Sequence, residues 1–280
     1  MRPDELRFDL SGIGLRVSGL TAEQADALHA EWSGFRVETL REAFLDLAVE
    51  VGGEPVRGET PFAGTFEGSF DASRALYRIP EGEVRVDAQG AATLRLAPAA
   101  PNVQLYALIN LASAAVGWRL PARDGAALHA AGLVHRGRAF LLVGPSGSGK
   151  STWAGLGKAA GARLLSEDTV FVDGAGAGAQ ALSMPFRHDR ENPPTPGRWP
   201  LGGILFPSWG SAARIEPASP LRARASLTAN FLFVAKDLDS DPRPSRVIDR
   251  LLSQVPCRTL VFARDASFLE LLESLLPGRP

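Results

Sequence analysis

"LLVGPSGSGKSTWAG", Leu141 to Gly155, contains G-x-x-x-x-G-K-[ST] in full, with Gly144, Gly149, Lys150 and Ser151 in register. It directly follows an apolar run, Phe140 to Val143, that reads as a buried strand. The glycines at 144, 147 and 149 let backbone amides turn inward around phosphate oxygens without a Cβ clash, and the helix expected next offers its N-terminal amides to the same charge. Gly144, Pro145, Ser146, Gly147, Ser148, Gly149, Lys150, Ser151 and Thr152 therefore form the predicted cradle for a nucleoside triphosphate. Lys150 supplies a point charge to the outer phosphates and the Ser151 hydroxyl is placed to ligate Mg²⁺, so ATP and Mg²⁺ are the expected cofactors. A strand, a phosphate loop and a helix in this order predict an α/β fold built around a P-loop nucleotide-binding domain.

Two further groups fall near this loop. "AALHAAGLVHRGRAFLLVG" reads as two strands joined at Arg136-Gly137. A two-residue turn there pairs His135 with Arg138 and, counting back along both strands, sets His129 opposite Gly144. An imidazole at the first glycine of the loop is a candidate proton donor or carboxylate partner. His135, at the turn, is expected to be solvated.

Downstream, "ARLLSEDTVFVD" offers a short strand, Ala162 to Leu165, that delivers Glu167 and Asp168 one short helix after Lys150. A parallel strand would place both acids at the carboxyl edge where ligands collect. One carboxylate would then hold the metal while the other orients or deprotonates an attacking hydroxyl. Arg187 and Arg190, in "RHDRENPPTPGRWP", are candidates to clamp a transferring phosphoryl group. His188 and Asp189 between them do not make a metal site.

Together, "ALHAAGLVHRGRAFLLVGPSGSGKST" and "ARLLSED" resemble the HPr kinase/phosphorylase and HPr-kinase-related family, whose core is similar to that of ATP-dependent phosphoenolpyruvate carboxykinase. The resemblance covers roughly Ala127 to Val172 and implies a mixed sheet of the HPr-kinase C-terminal type. By it, Lys150 and Ser151 bind phosphate and Mg²⁺, Asp168 is the metal-facing acid, Glu167 the base-like acid, and His129 its support. The first acid is Glu where the family has Asp, and the "E-x-R-G-h-G" signature of true HPr kinases is not evident, which argues against HPr as the acceptor. The resemblance implies a kinase acting on a serine or similar hydroxyl of a peptide or protein. A small-molecule kinase of the same fold, and a nucleotide-binding regulator with slow hydrolysis, are the alternatives. An ATP-binding cassette lacks support without an L-S-G-G-Q-like segment, and guanylate-type kinases normally begin with their phosphate loop.

The rest of the chain sets bounds. With 280 residues, 45% hydrophobic and 22% charged, it suits one large domain or two smaller ones. Its net charge of −1 gives no global field for nucleic acid or an anionic membrane. A homo-oligomer stays open. Cys257 is the only cysteine and is expected as a packed thiol, which excludes an internal disulfide and fits a reducing, cytoplasmic setting. "MRPDELRFDLSG" lacks the apolar run of a secretory signal.

Residues 1–120 read as a smaller α+β domain for substrate docking or support, and 121–280 as the catalytic domain. "TAEQADALHAEWSG" has Thr21 and Gln24 in capping-box spacing and predicts a helix with Ala25, Leu28 and Trp32 on one stripe. "EVRVDAQGAATLRL" predicts a hairpin turning at Gln89-Gly90. Pro101 to Trp118 carries no charge and reads as a buried helix ended by Gly117. "DGAGAGAQ" is expected to be a hairpin link, and Arg187 to Pro200 a surface loop. Strands follow around Gly203–Phe206 and Phe231–Val234, then helix, strand and helix around Val247–Ser253, Arg258–Ala263 and Ser267–Leu276.

Overall fold

The structure, a computed structural model, describes residues 5–52, 67–186, 193–235 and 240–276. These form six α-helices and two mixed sheets, and the chain divides into two units between Arg119 and Leu120. Met184–Pro196 and Phe233–Asp241 also belong to the first unit, so the stretch expected as one continuous domain from 121 onward is interrupted twice. No helix among the described residues is long and apolar enough to cross a membrane.

The first unit is a seven-stranded sheet carrying two helices. Its strands are β1 (Glu5–Asp9), β2 (Gly14–Ser18), β3 (Leu45–Val51), β4 (Glu67–Phe70), β5 (Arg74–Ile79), β6 (Gly82–Asp87) and β7 (Ala91–Leu96), in the spatial order β1-β2-β3-β7-β6-β5-β4. Period-two patterning puts Leu15, Val17, Leu45, Leu47, Val84, Val86, Leu94 and Leu96 on the buried face, while Arg16, Asp46, Arg85 and Arg95 alternate onto the other. That buried face is covered by α2 (Pro101–Arg119), which packs on β3, β5, β6 and β7 and is buried along most of its length. The helix runs through Gly117 rather than stopping there, since an uncharged helix packed on all sides gains more from continued burial than a single glycine costs. Helix α1 (Ala22–Glu31) begins with the expected capping box, Thr21 Oγ1 accepting from the Gln24 amide and Gln24 Oε1 from the Thr21 amide. The β6–β7 hairpin turns as predicted, with Asp87 Oδ1 accepting from the amides of Gln89, Gly90 and Ala91.

The second unit centres on β8 (Ala126–His135) and β9 (Arg138–Val143). Their connection has Arg136 at φ 51° and Gly137 at φ 75°, the doubly positive turn that matches strand twist. His135 pairs with Arg138, and the ladder continues to Ala130 opposite Val143. His135 is not a solvated turn residue, because its Nε2 lies 3.3 Å from Glu273 Oε1 and its side chain is half-buried.

After β9 come α3 (Lys150–Ala159), β10 (Arg163–Ser166), β11 (Thr169–Asp173) and β12 (Gln180–Leu182). Then follow β13 (Arg198–Trp209), β14 (Arg214–Pro217), α4 (Pro220–Asn230), α5 (Arg243–Gln254), β15 (Cys257–Phe262) and α6 (Phe268–Glu273). Strand β13 pairs in turn with β12, β9 and β15, and β8 pairs with β9, β10 and β11, so β8, β9, β13, β12 and β11 close into a ring.

Several expectations change here. Arg198–Pro200 open β13 rather than lying in a surface loop. Of Phe231–Val234 only Phe231 makes a bridge, to Leu128, because Phe233 and Val234 leave for the first unit. Strand β14 and helix α4 were not anticipated. The thiol of Cys257, half-buried at the start of β15, is pushed up to about 11 by burial.

Candidate functional site

The glycine-rich loop leaves β9 at Val143 and enters α3 at Lys150. Gly149 stands at the N-cap position with φ 101°, a conformation suited to glycine, and no side chain caps the helix. The first-turn amides of α3 are thus without a side-chain cap, and helix N-termini of this kind favour negative charge. Gly144 is held by close approach, since a Cβ there would lie 2.8 Å from Pro207 Cγ and 2.9 Å from Ser148 Oγ. Ser148 Oγ is itself buried without a hydrogen-bond partner, an orphan that a phosphate oxygen would satisfy.

Lys150 is 6% exposed, and its Nζ donates to the carbonyls of Gly144 at 2.8 Å and Pro145 at 2.9 Å. Burial pushes its ammonium below the usual lysine range, against the opposing pull of the Asp168 carboxylate. Pro145, Ser146, Gly147, Ser151 and Thr152 are exposed around this charge.

Asp168 reaches the loop through β8. Strand β10 does not pair in parallel with β9, because β8 lies between them and pairs antiparallel to both. A bulge at Leu165 shifts the register, after which Ser166 faces Gly132 and Thr169 faces His129. Between these pairs the Ala130 amide donates to the Asp168 carbonyl at 3.0 Å, so the acid turn stays attached to β8 instead of ending a strand at the sheet edge. His129 Nδ1 lies 3.0 Å from the Asp168 carbonyl oxygen and 3.2 Å from its Oδ1. Two acceptors at Nδ1 require the proton there, which leaves Nε2 as the nitrogen able to accept one. Thr169 Oγ1 donates to Asp168 Oδ2 at 3.2 Å.

His129, Asp168 and Lys150 are therefore brought together. Glu167 is exposed in the same turn, and the contacts with His129 and Thr169 belong to Asp168. Arg187 and Arg190 lie outside the described residues. Sequence reading missed Ser166, whose Oγ accepts from the amides of Asp168 at 3.2 Å and Thr169 at 3.1 Å and shapes the acid turn. Its signal was a serine two residues before the acid. Reading also missed Trp209, whose ring packs beneath Gly149.

The donor set fits a small hard cation shared with phosphate. Ser151 and Asp168 offer a hydroxyl and a carboxylate, and Mg²⁺ takes one or two carboxylates plus phosphate oxygens and water. Among the described residues no group of three or more His, Cys, Asp or Glu forms a metal cage by itself. No protein-family model matches the chain, and no curated protein matches it.

Proposed function

We propose that the second unit is a Mg·ATP-dependent phosphotransferase of the HPr-kinase-like type, with a serine or similar hydroxyl of a peptide or protein as acceptor. The observation that supports it is the coupling of Asp168, tied to His129 and Thr169, to the ammonium of Lys150 in the phosphate loop. A bare loop of this kind speaks only for binding. An acid fixed beside it adds the means to act on the terminal phosphoryl group.

In such a reaction the protein's work is positioning and charge stabilisation. The amides at the start of α3 and the Ser148 hydroxyl cradle phosphate oxygens. Lys150 exchanges its two loop carbonyls for outer phosphate oxygens. Bound Mg²⁺ supplies neutralisation of the phosphate charge, and Ser151 and Asp168 are the residues that would hold it. Glu167 takes the proton of the attacking hydroxyl. His129 is a positioning residue that fixes the direction of the Asp168 carboxylate.

The test is intact-mass analysis of peptide acceptors, beginning with small peptides encoded beside the gene, after incubation with the full chain and Mg·ATP. The expected result is the gain of one phosphate, abolished in Lys150→Ala and Asp168→Asn while circular dichroism shows both still folded. His129→Gln should lower turnover roughly 10- to 100-fold. Full activity in either abolishing variant removes the proposal. Tight nucleotide binding with no phosphorylated product would make the protein a nucleotide-dependent regulator instead, and phosphorylation of a metabolite alone would change the acceptor class.

A further inference from the structure

We propose that Trp209 is the platform on which the base of the bound nucleoside triphosphate stacks; this rests on the phosphate-loop reading above. Strands β8, β9, β13 and β15 lie side by side, and the loop springs from the end of β9. On the β8 side of the loop stand His129 and Asp168. On the other side β13 runs parallel to β9 and carries Pro207 and then Trp209 past the loop. The order across the sheet is thus acid, phosphate cradle, aromatic ring.

A nucleoside triphosphate has the same order along its length, from terminal phosphoryl group to base. With the terminal group directed at Asp168, the nucleoside end is directed toward β13. An acceptor hydroxyl attacks in line, from the side opposite the leaving nucleotide, so a group resting on Trp209 belongs to the donor and not to the acceptor.

The ring is suited to the task. Trp209 is 47% exposed, although most large apolar side chains of this unit are fully buried. Its underside is fixed by Phe262, with ring centroids 4.7 Å apart at 34°. It also presses on Gly149, where a Cβ would come within 2.8 Å of the indole. A ring already immobilised loses little freedom on stacking, and about half of it remains open. Base–aromatic stacking uses the π-face that every base possesses, so this residue confers affinity without choosing between ATP and GTP.

The experiment uses the full chain and three probes, Mg·ATP, Mg·GTP and Mg·tripolyphosphate, titrated by calorimetry. Trp209→Ala should weaken both nucleotides about 10-fold or more and leave tripolyphosphate affinity unchanged. Trp209→Leu, which refills the contacts on Phe262 and Gly149 without an aromatic face, should behave like the alanine variant, and Trp209→Phe should retain most of the affinity. Unchanged nucleotide affinity in Trp209→Leu overturns the inference. So does an equal loss of nucleotide and tripolyphosphate, which would make the ring a prop for the loop. A wild-type chain that binds nucleotide normally while Trp209 proves irrelevant leaves the phosphate-loop reading standing; one that binds no probe removes both.

Discussion

Lys150 concentrates the chemistry of the site. Its ammonium is buried and donates to two carbonyls, and burial outweighs the opposing pull of the Asp168 carboxylate, so it gives up its proton at lower pH than an ordinary lysine. Nucleotide phosphates need the protonated form. Mg·ATP affinity measured by calorimetry should therefore fall as pH is raised from about 7 to about 10, while the Lys150→Ala variant, already weak, shows no such fall. A flat profile in the unsubstituted chain would disconnect Lys150 from the ligand. His129 was legible because strand register is arithmetic: once Arg136-Gly137 is read as a two-residue turn, its position beside the loop follows. Ser166 was not, because its role is to accept two local amides, and any loop serine carries the same letter.

The loop-helix element shows how the glycines differ. Gly147 sits at φ 77° in open space, whereas Gly149 sits at φ 101° with Trp209 and Phe262 against it. Gly147→Ala should cost about 1–2 kcal/mol, the strain of a left-handed alanine, and Gly149→Ala clearly more because the aromatic pair must also move. Urea unfolding of both variants checks the order; equal costs would mean that Trp209 yields freely. Strand β13 shows why other elements were hard to read. Pro200 and Pro207 argue against a central strand. Ile204 donates its amide to the Pro256 carbonyl, on the β15 side, so by alternation residue 207 presents its nitrogen to the opposite edge. There β9 ends at Val143, so the missing amide falls at the very end of that pairing and not in its middle. Pro200 likewise lies just before the stretch paired with β9, where β13 passes from one neighbour to the next. Only the partners' lengths, invisible in a local window, make both prolines acceptable.

For the chain as a whole, the division into units is not a division of sequence. Phe186 packs edge-on against Trp32 at 5.5 Å, and Phe233 against Tyr77 at 6.1 Å, with the Tyr77 hydroxyl donating to the Phe233 carbonyl at 2.6 Å. These segments complete the first unit from far along the chain. Expressed alone, residues 120–280 should aggregate on size-exclusion chromatography, because Met184, Phe186, Val234 and Ala235 would lose the surroundings that bury them. A monodisperse fragment that still binds Mg·ATP would show that the second unit folds unaided. Local patterning read most of the helices and the β6–β7 and β8–β9 hairpins, though not α4, and it does not register a segment that crosses back, such as Phe233 to Ala235.

On the proposed function, the tether from Lys150 to Gly144 and Pro145 makes the loop its own plug. An anion entering it must break two good hydrogen bonds before it gains the ammonium, and a lone orthophosphate has few other contacts with which to recover that loss. A longer anion that also reached the amides at the start of α3 would have further contacts with which to offset it. On that reading the loop would sort anions by length before it sorts them by identity, and hold the shortest least.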